Sequence, residues 1–443
     1  MTSSSPDLPA LSRRDMLRWS AFVAGTALAA PGLLSAPVGR TAIRAEGVRV
    51  ASAEDAAQMV HRLALEAVAS DNRGVGGLII DNRTGEVIRE GRNGRFRAVA
   101  PAVATAPDQT FTWDYTQHGE TSLVGWYQAN RRSLRLPDPR HLTVITSLDP
   151  CAMCTGSLIT AGFTAGVVAF DPTGGMNITM DGRFPTLPLS LRPEARDSFG
   201  FYAVQYIRAY DGAAGVPLRQ SEITPNSAAA CANVFFDNSA GVRNVDRDVP
   251  LDAVTDPRDL PVDDPMRVAL AKVSPYAFAL RLADPRRPDG ALLSLLRRLE
   301  RRTPGARNAV AFIDPFGNLL FAYPDLPSRG SIATAFFNTT QAYARTRYRL
   351  FNDPSTHVQA RNTLTGPNAG TFVWLRAPEP HAMTTVKDLG AYGSTIGRAA
   401  PGNFQYYLRP RSGTIEQLRR QISLMPPFYT EVAAIDPRQV AGY

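Results

Sequence analysis

From residue 52 to 69, Ala56, Val60, Leu63, Ala64 and Ala67 recur every three to four positions, which predicts an amphipathic helix. The pattern then shifts to short apolar runs, Val75-Gly76-Gly77-Leu78-Ile79-Ile80 and Glu86-Val87-Ile88, on either side of Asp81-Asn82-Arg83-Thr84-Gly85. Two such runs around an Asn/Gly turn predict a β-hairpin. Helical spacing returns over residues 118–130, where Leu123, Trp126 and Tyr127 fall on one face. Residues 141–148 read as a strand and lead into Asp149-Pro150-Cys151, where Pro150 suits a helix start. Helix and strand alternate, so the chain belongs to the α/β class.

The chemistry sits at two of these boundaries. His118-Gly119-Glu120 opens one helix, and Pro150-Cys151-Ala152-Met153-Cys154 opens another. Cys151 and Cys154 lie one helical turn apart, so their sulfurs share a face, and a helix N-terminus favours thiolate. One imidazole and two thiolates suit Zn²⁺ and leave a fourth tetrahedral position open. Glu120, two residues past the histidine, is left free to handle protons. A structural zinc site would call for a fourth Cys or His at ligand spacing, and there is none. A redox Cys-X-X-Cys would have no use for His118 or Glu120.

This H-x-E…P-C-x-x-C pattern is the signature of zinc nucleobase deaminases, and the chain resembles the cytidine deaminase superfamily. The stretch Thr146-Ser147-Leu148-Asp149-Pro150-Cys151-Ala152-Met153-Cys154 is similar to the tRNA adenosine deaminase and guanine deaminase branches. Asp149 stands where those branches usually carry Glu, and Gly119 where Ala is common; neither changes the ligand set. The resemblance implies a three-layer α/β/α sandwich with a mixed central sheet. It also implies a zinc-dependent hydrolytic deaminase with His118, Cys151 and Cys154 as ligands and Glu120 as proton shuttle. The hairpin ends with Gly91-Arg92-Asn93, and the resemblance carries a substrate-binding role to Asn93. Trp113 and Tyr115, just before the histidine, either form an aromatic wall for a base or pack their loop onto the core.

The C-terminal part echoes this order. Residues 292–302 form an Arg-flanked amphipathic helix, and residues 309–320 read strand–turn–strand with Asp314 opening the turn. Arg329-Gly330-Ser331 is expected to open a helix where His118-Gly119-Glu120 does, and Glu379-Pro380-His381-Ala382-Met383-Thr384 mirrors the cysteine segment. A duplicated fold follows, with a catalytic domain over 46–260 and a degenerate copy over 261–443 that lacks zinc ligands. Its ligand positions read Arg329, His381 and Thr384, with Ser331 at the acid/base place. The two copies would form an intramolecular pseudo-dimer. Residues 171–260 read as an elaboration of the first domain's end, a lid in one version.

With 443 residues, 44% of them hydrophobic and 20% charged, two globular domains are the natural expectation. The formal charge is +8, but residues 1–45 carry five Arg against two Asp, leaving about +5 for the rest. That excess is too mild to argue for nucleic-acid binding. Ser12-Arg13-Arg14-Asp15-Met16-Leu17-Arg18 resembles a twin-arginine signal and is followed by an Ala/Gly-rich run to Ala36. Export to a periplasmic or extracellular location, with no stable membrane association after cleavage, is therefore expected. The twin-arginine route exports folded proteins, so zinc would load first and protect both thiols from oxidation. The third cysteine, Cys231, lies in an Ala-rich run and reads as a buried inert thiol. The expected substrate is a small purine or pyrimidine, as free base or nucleoside. Deamination of another amino-heterocycle, and a non-enzymatic zinc-containing binding protein on this fold, are the alternatives.

Overall fold

The computed structural model describes residues 47–176, 182–202, 223–238, 245, 248–398 and 401–443. The twin-arginine segment and much of 203–247 lie outside the described residues.

Helix α1 (Ala53–Ala69) starts at Ser52, whose hydroxyl accepts the Asp55 N–H and so satisfies one of the free donors of the first turn. Strands β1 (Gly76–Asp81) and β2 (Val87–Arg92) form the expected hairpin. A small ribbon, β3 (Phe96–Ala98) and β4 (Thr110–Thr112), precedes α2 (Gly119–Asn130). Strand β5 (Leu142–Thr146), helix α3 (Ala152–Ala161) and strand β6 (Thr164–Val167) follow, then α4 (Arg192–Ser198) and β7 (Phe199–Phe201). The sheet order is β2-β1-β5-β6-β7. The first two pairings are antiparallel and the last two parallel.

Two adjacent glycines show how the layers form. Successive strand residues point to opposite faces. A Cβ on Gly76 would strike Val60, Leu63 and Ala64 of α1, whereas one on Gly77 would meet Leu123 of α2. The sheet thus has α1 on one face and α2 on the other, the three-layer sandwich expected.

Helices α5 (Pro225–Asn238) and α6 (Pro265–Val273) lead into the second half. There α7 (Gly290–Arg302), β8 (Ala309–Ile313), β9 (Leu319–Pro324) and α8 (Ala335–Asn352) come first. Then come α9 (His357–Thr363), β10 (Thr371–Arg376), α10 (Met383–Ile396), β11 (Phe404–Leu408), α11 (Ile415–Leu424) and β12 (Arg438–Gln439). The sheet order, β9-β8-β10-β11-β12, repeats the first, with the same sequence of antiparallel and parallel pairings. Even the irregularity in the hairpin recurs, between Ile79 and Ile80 in one and Phe312 and Ile313 in the other. The second half therefore repeats the sheet topology of the first.

The copy differs in register from the sequence expectation. Arg329-Gly330-Ser331 does not open a helix; Pro327–Arg329 is a single 3₁₀ turn, and α8 begins only after Thr334. Thr334, not Arg329, occupies the place that His118 holds as the residue capping α2. Likewise Ala382 precedes α10 as Cys151 precedes α3, which puts Thr385, not Thr384, in the place of Cys154. The extra residue is accommodated at His381, whose φ is +66°. Ala382 has no side chain that can bind a metal, so the residues at the places of His118, Cys151 and Cys154 are Thr334, Ala382 and Thr385.

The halves meet where α3 crosses its own counterpart, α10. Gly156 lies against the backbone of Met383 and Lys387, and Gly390 against that of Ala152 and Met153; a Cβ on either would come within 2.5 Å of main-chain atoms. Bare backbone on both sides allows this close crossing. The long segment before α2 also docks on the second half: Tyr348 donates to the Ala98 carbonyl, and Asn352 accepts the Ala100 N–H. Residues 199–201 complete the first sheet, and α5 packs on α1. Cys231 on α5 is fully buried, with its thiol pushed up to about 12 by burial. No helix among the described residues is long and apolar enough to cross a membrane.

Candidate metal centre

The first turns of α2 and α3 point at one another. His118 caps α2 with extended backbone, its N–H donating to Thr121 Oγ1 at 3.2 Å. Cys151 likewise caps α3 with extended backbone. The segment before it is pinned by the Asp149 N–H to the Ala169 carbonyl at 2.7 Å and by the Met176 N–H to the Pro150 carbonyl at 3.1 Å. His118 Nδ1 lies 3.5 Å from Cys151 Sγ and 3.7 Å from Cys154 Sγ, and the sulfurs are 3.5 Å apart and unbonded.

Those spacings test the metal directly. Bond lengths of ~2.3 Å to sulfur and ~2.0–2.1 Å to nitrogen place tetrahedral ligand atoms ~3.6–3.8 Å apart, within about 0.3 Å of the 3.5, 3.7 and 3.5 Å seen. Zinc fits this donor set, and His118, Cys151 and Cys154 would hold it. The neighbouring Cys154 thiol holds Cys151 well below the ordinary thiol range, with His118 adding to the effect. Cys154 itself is raised by burial, a cost that a divalent cation offsets by holding the sulfur as thiolate.

Glu120 is buried beside the triad. Its Oε1 accepts from Thr146 Oγ1 at 3.1 Å, and its Oε2 lies 3.2 Å from Cys154 Sγ. Burial, and then the field of Cys151, raises its carboxyl above the ordinary value. A carboxyl shifted in that direction is better suited to exchange protons near neutrality.

These groups open onto a cleft of about 790 Å³, part of it continuous with solvent. Asn93 lines it, with its amide already used: Oδ1 accepts the Gly119 N–H at 2.7 Å, and Nδ2 donates to the Arg73 carbonyl at 3.0 Å. In this structure Asn93 fixes the start of α2. Trp113 is not among the lining residues; it packs against Tyr348 and under Arg97, so the packing alternative is the one seen. Tyr115 is buried beneath Arg95, and Arg95 is what reaches the cleft.

Several lining residues carried no motif to find them. Arg73 and Arg95 belong to the loops flanking the hairpin, Asp171 to the turn after β6, and Phe235 to α5. The second half contributes Ser394, Phe428 and Tyr429. Tyr429 Oη accepts the Ala152 N–H at 3.1 Å, one of the free donors at the start of α3. The second half therefore helps hold the cysteine helix.

Residues 50–170 match the family model for the cytidine and deoxycytidylate deaminase zinc-binding region. No curated protein matches the chain. Among solved structures, it is similar to a tRNA:A34 deaminase (18% identity, TM-score 0.19), over 27% of this chain and 73% of that one. It is also similar to guanine deaminase from Nitrosomonas europaea (18% identity, TM-score 0.26), over 44% of this chain and 90% of that one. With one His/Cys/Cys triad among the described residues and Ala382 at the corresponding place in the second half, the protein is expected to bind one zinc per chain, and elemental analysis finding two would contradict the assignment. Residues 50–170 thus match the zinc-binding region of the cytidine and deoxycytidylate deaminases, and the His118, Cys151 and Cys154 group that could hold zinc lies within them.

Proposed function

We propose that this protein is an exported zinc-dependent hydrolytic deaminase acting on the exocyclic amine of a small purine- or pyrimidine-type heterocycle. The reading rests on one observation: a zinc-sized triangle of His118, Cys151 and Cys154 with the buried, non-ligating Glu120 beside it, facing a cleft. Bound zinc supplies a Lewis acid that makes water nucleophilic near neutral pH. Glu120 would take one proton from the attacking water and pass it to the ring nitrogen, then take a second from the hydroxyl of the tetrahedral adduct and pass it to the amine, which leaves as ammonia as the carbonyl forms. Thr146 orients the carboxylate through Oε1, leaving Oε2 on the side of the ligands. Leu148, Phe235 and Phe428 exclude water from the flanks of the cleft.

The second half acts as a built-in partner subunit, with domains over 46–260 and 261–443 as the proposed division. The Arg13-Arg14 motif supports export by the twin-arginine route, which would deliver the folded, metal-loaded protein to the periplasm or exterior. Ammonia release from a panel of nucleobases, nucleosides and their phosphates tests the activity. Zinc-loaded protein that releases none from any member would favour a binding function on this fold.

A further inference from the structure

Arg73 and Arg95 line the same cleft as the metal ligands, yet neither is needed to hold zinc or to move the proton. Arg73 lies in the field of Asp171, a carboxylate of the same cleft. Arg95 has no carboxylate in contact among the described residues. The nearest acid to act on it, Asp114, is already committed: Oδ2 receives Arg345 Nε and Nη2 at 2.8 and 2.6 Å, and Oδ1 receives the Thr116 N–H and hydroxyl, each at 2.8 Å.

The Arg95 guanidinium is nevertheless held in place. It lies 4.7 Å from the ring centre of Tyr115 and 5.3 Å from that of Phe96. Its Nε is buried with no hydrogen-bond partner, and its terminal nitrogens make no hydrogen bond to the described residues. Arg73 adds a second positive charge, and the two guanidiniums repel one another while burial lowers both. Two like charges in a partly desolvated cleft, one with unused donors, are stabilised when an anion enters. A planar guanidinium suits phosphate and carboxylate oxygens in particular.

We propose that Arg95, with Arg73 beside it, binds an oxyanion carried by the substrate, so that the heterocycle presented to Glu120 bears a phosphate or a carboxylate group and is not a bare base. This deepens the deaminase reading and rests on it for the reaction, but the anion seat can be tested separately. The zinc-loaded full chain is titrated with inorganic phosphate, with CMP, AMP and GMP, and with an aminopyrimidine carboxylate, each against its uncharged parent. Turnover is measured on the same set. The anionic members are expected to bind at least about 30-fold more tightly than their parents, and Arg95→Met should remove that advantage. Arg95→Lys should restore part of it, and equal zinc content and melting temperature in both variants exclude misfolding as the cause. Preference for CMP, AMP or GMP assigns phosphate, and preference for the carboxylate assigns that group; either supports the proposal. Anion binding that depends on Arg95 without turnover would uphold the seat and refute the deaminase reading. Turnover of bases or nucleosides as fast as of their anionic forms, with Arg95→Met affecting all alike, would overturn the seat and leave the deaminase reading intact. Failure of every anion to bind would also overturn it.

Discussion

Replacing Glu120 by Gln is expected to lower turnover by about 10²–10⁴-fold while the protein keeps its zinc and its fold. The carboxylate is not a ligand, and Gln has the same length and can still accept the Thr146 hydroxyl bond through its amide oxygen. What the amide cannot do is take a proton from water and hand it to the leaving ammonia. The measurement is kcat on whichever panel substrate the wild type turns over, with zinc content determined on the same preparation. Residual activity within a factor of a few of wild type would remove Glu120 from the mechanism. Loss of zinc together with activity would instead mean that the carboxylate supports the site through its contact with Cys154.

The metal centre was legible in the sequence because it obeys local rules. His118 and Glu120 lie two residues apart at one helix start, and Cys151 and Cys154 one turn apart at another, so local spacing places each pair. The hairpin and the alternating strands of both halves were legible for the same reason. In β8, Ala309, Ala311 and Ile313 face α7, while Val310 and Phe312 face the core shared by both halves. The cleft's remaining walls were not legible. Arg95 is one arginine among many, and what distinguishes it is the Tyr115 ring beneath it and the commitment of Asp114 to Arg345, a residue more than two hundred positions away. Tyr429 reaches the start of α3 only because the whole second copy docks there. The misplaced register at residue 329 has a similar origin. A charged Arg-Gly-Ser step reads as a helix start, but the true cap, Thr334, is recognised only through its tertiary partners, Lys387 and Asp388.

Those partners lead to the largest expected effect on stability. Lys387 is one of two lysines in the chain and is fully buried. Its Nζ donates to Thr334 Oγ1 at 2.7 Å and to Asp388 Oδ1 at 2.5 Å, and it lies 4.3 Å from the centre of the Phe337 ring. Thr334 closes the triangle by donating to the same Asp388 oxygen at 2.6 Å. In the first half a metal would tie the cap of α2 to the first turn of α3. In the second, this ammonium ties the cap of α8 to α10, so a side-chain cation fastens the equivalent pair of helices. Burial lowers the Lys387 pKa, and the attraction of Asp388 opposes that shift. Lys387→Met keeps the apolar stem but strands the Asp388 carboxylate, and removing one partner of a buried pair costs about 3–5 kcal/mol. Chemical denaturation should show that loss. The double variant Lys387→Met/Asp388→Asn should recover more than half of it, because the stranded charge is gone and the amide oxygen still accepts from Thr334. The effect should reach the metal centre as well, since the Lys387 backbone packs against Gly156, five residues beyond Cys151 on α3. Lys387→Met should therefore weaken zinc retention in a chelator competition, with the double variant closer to wild type. A single variant as stable as wild type would show that the lysine only fills space between the two copies.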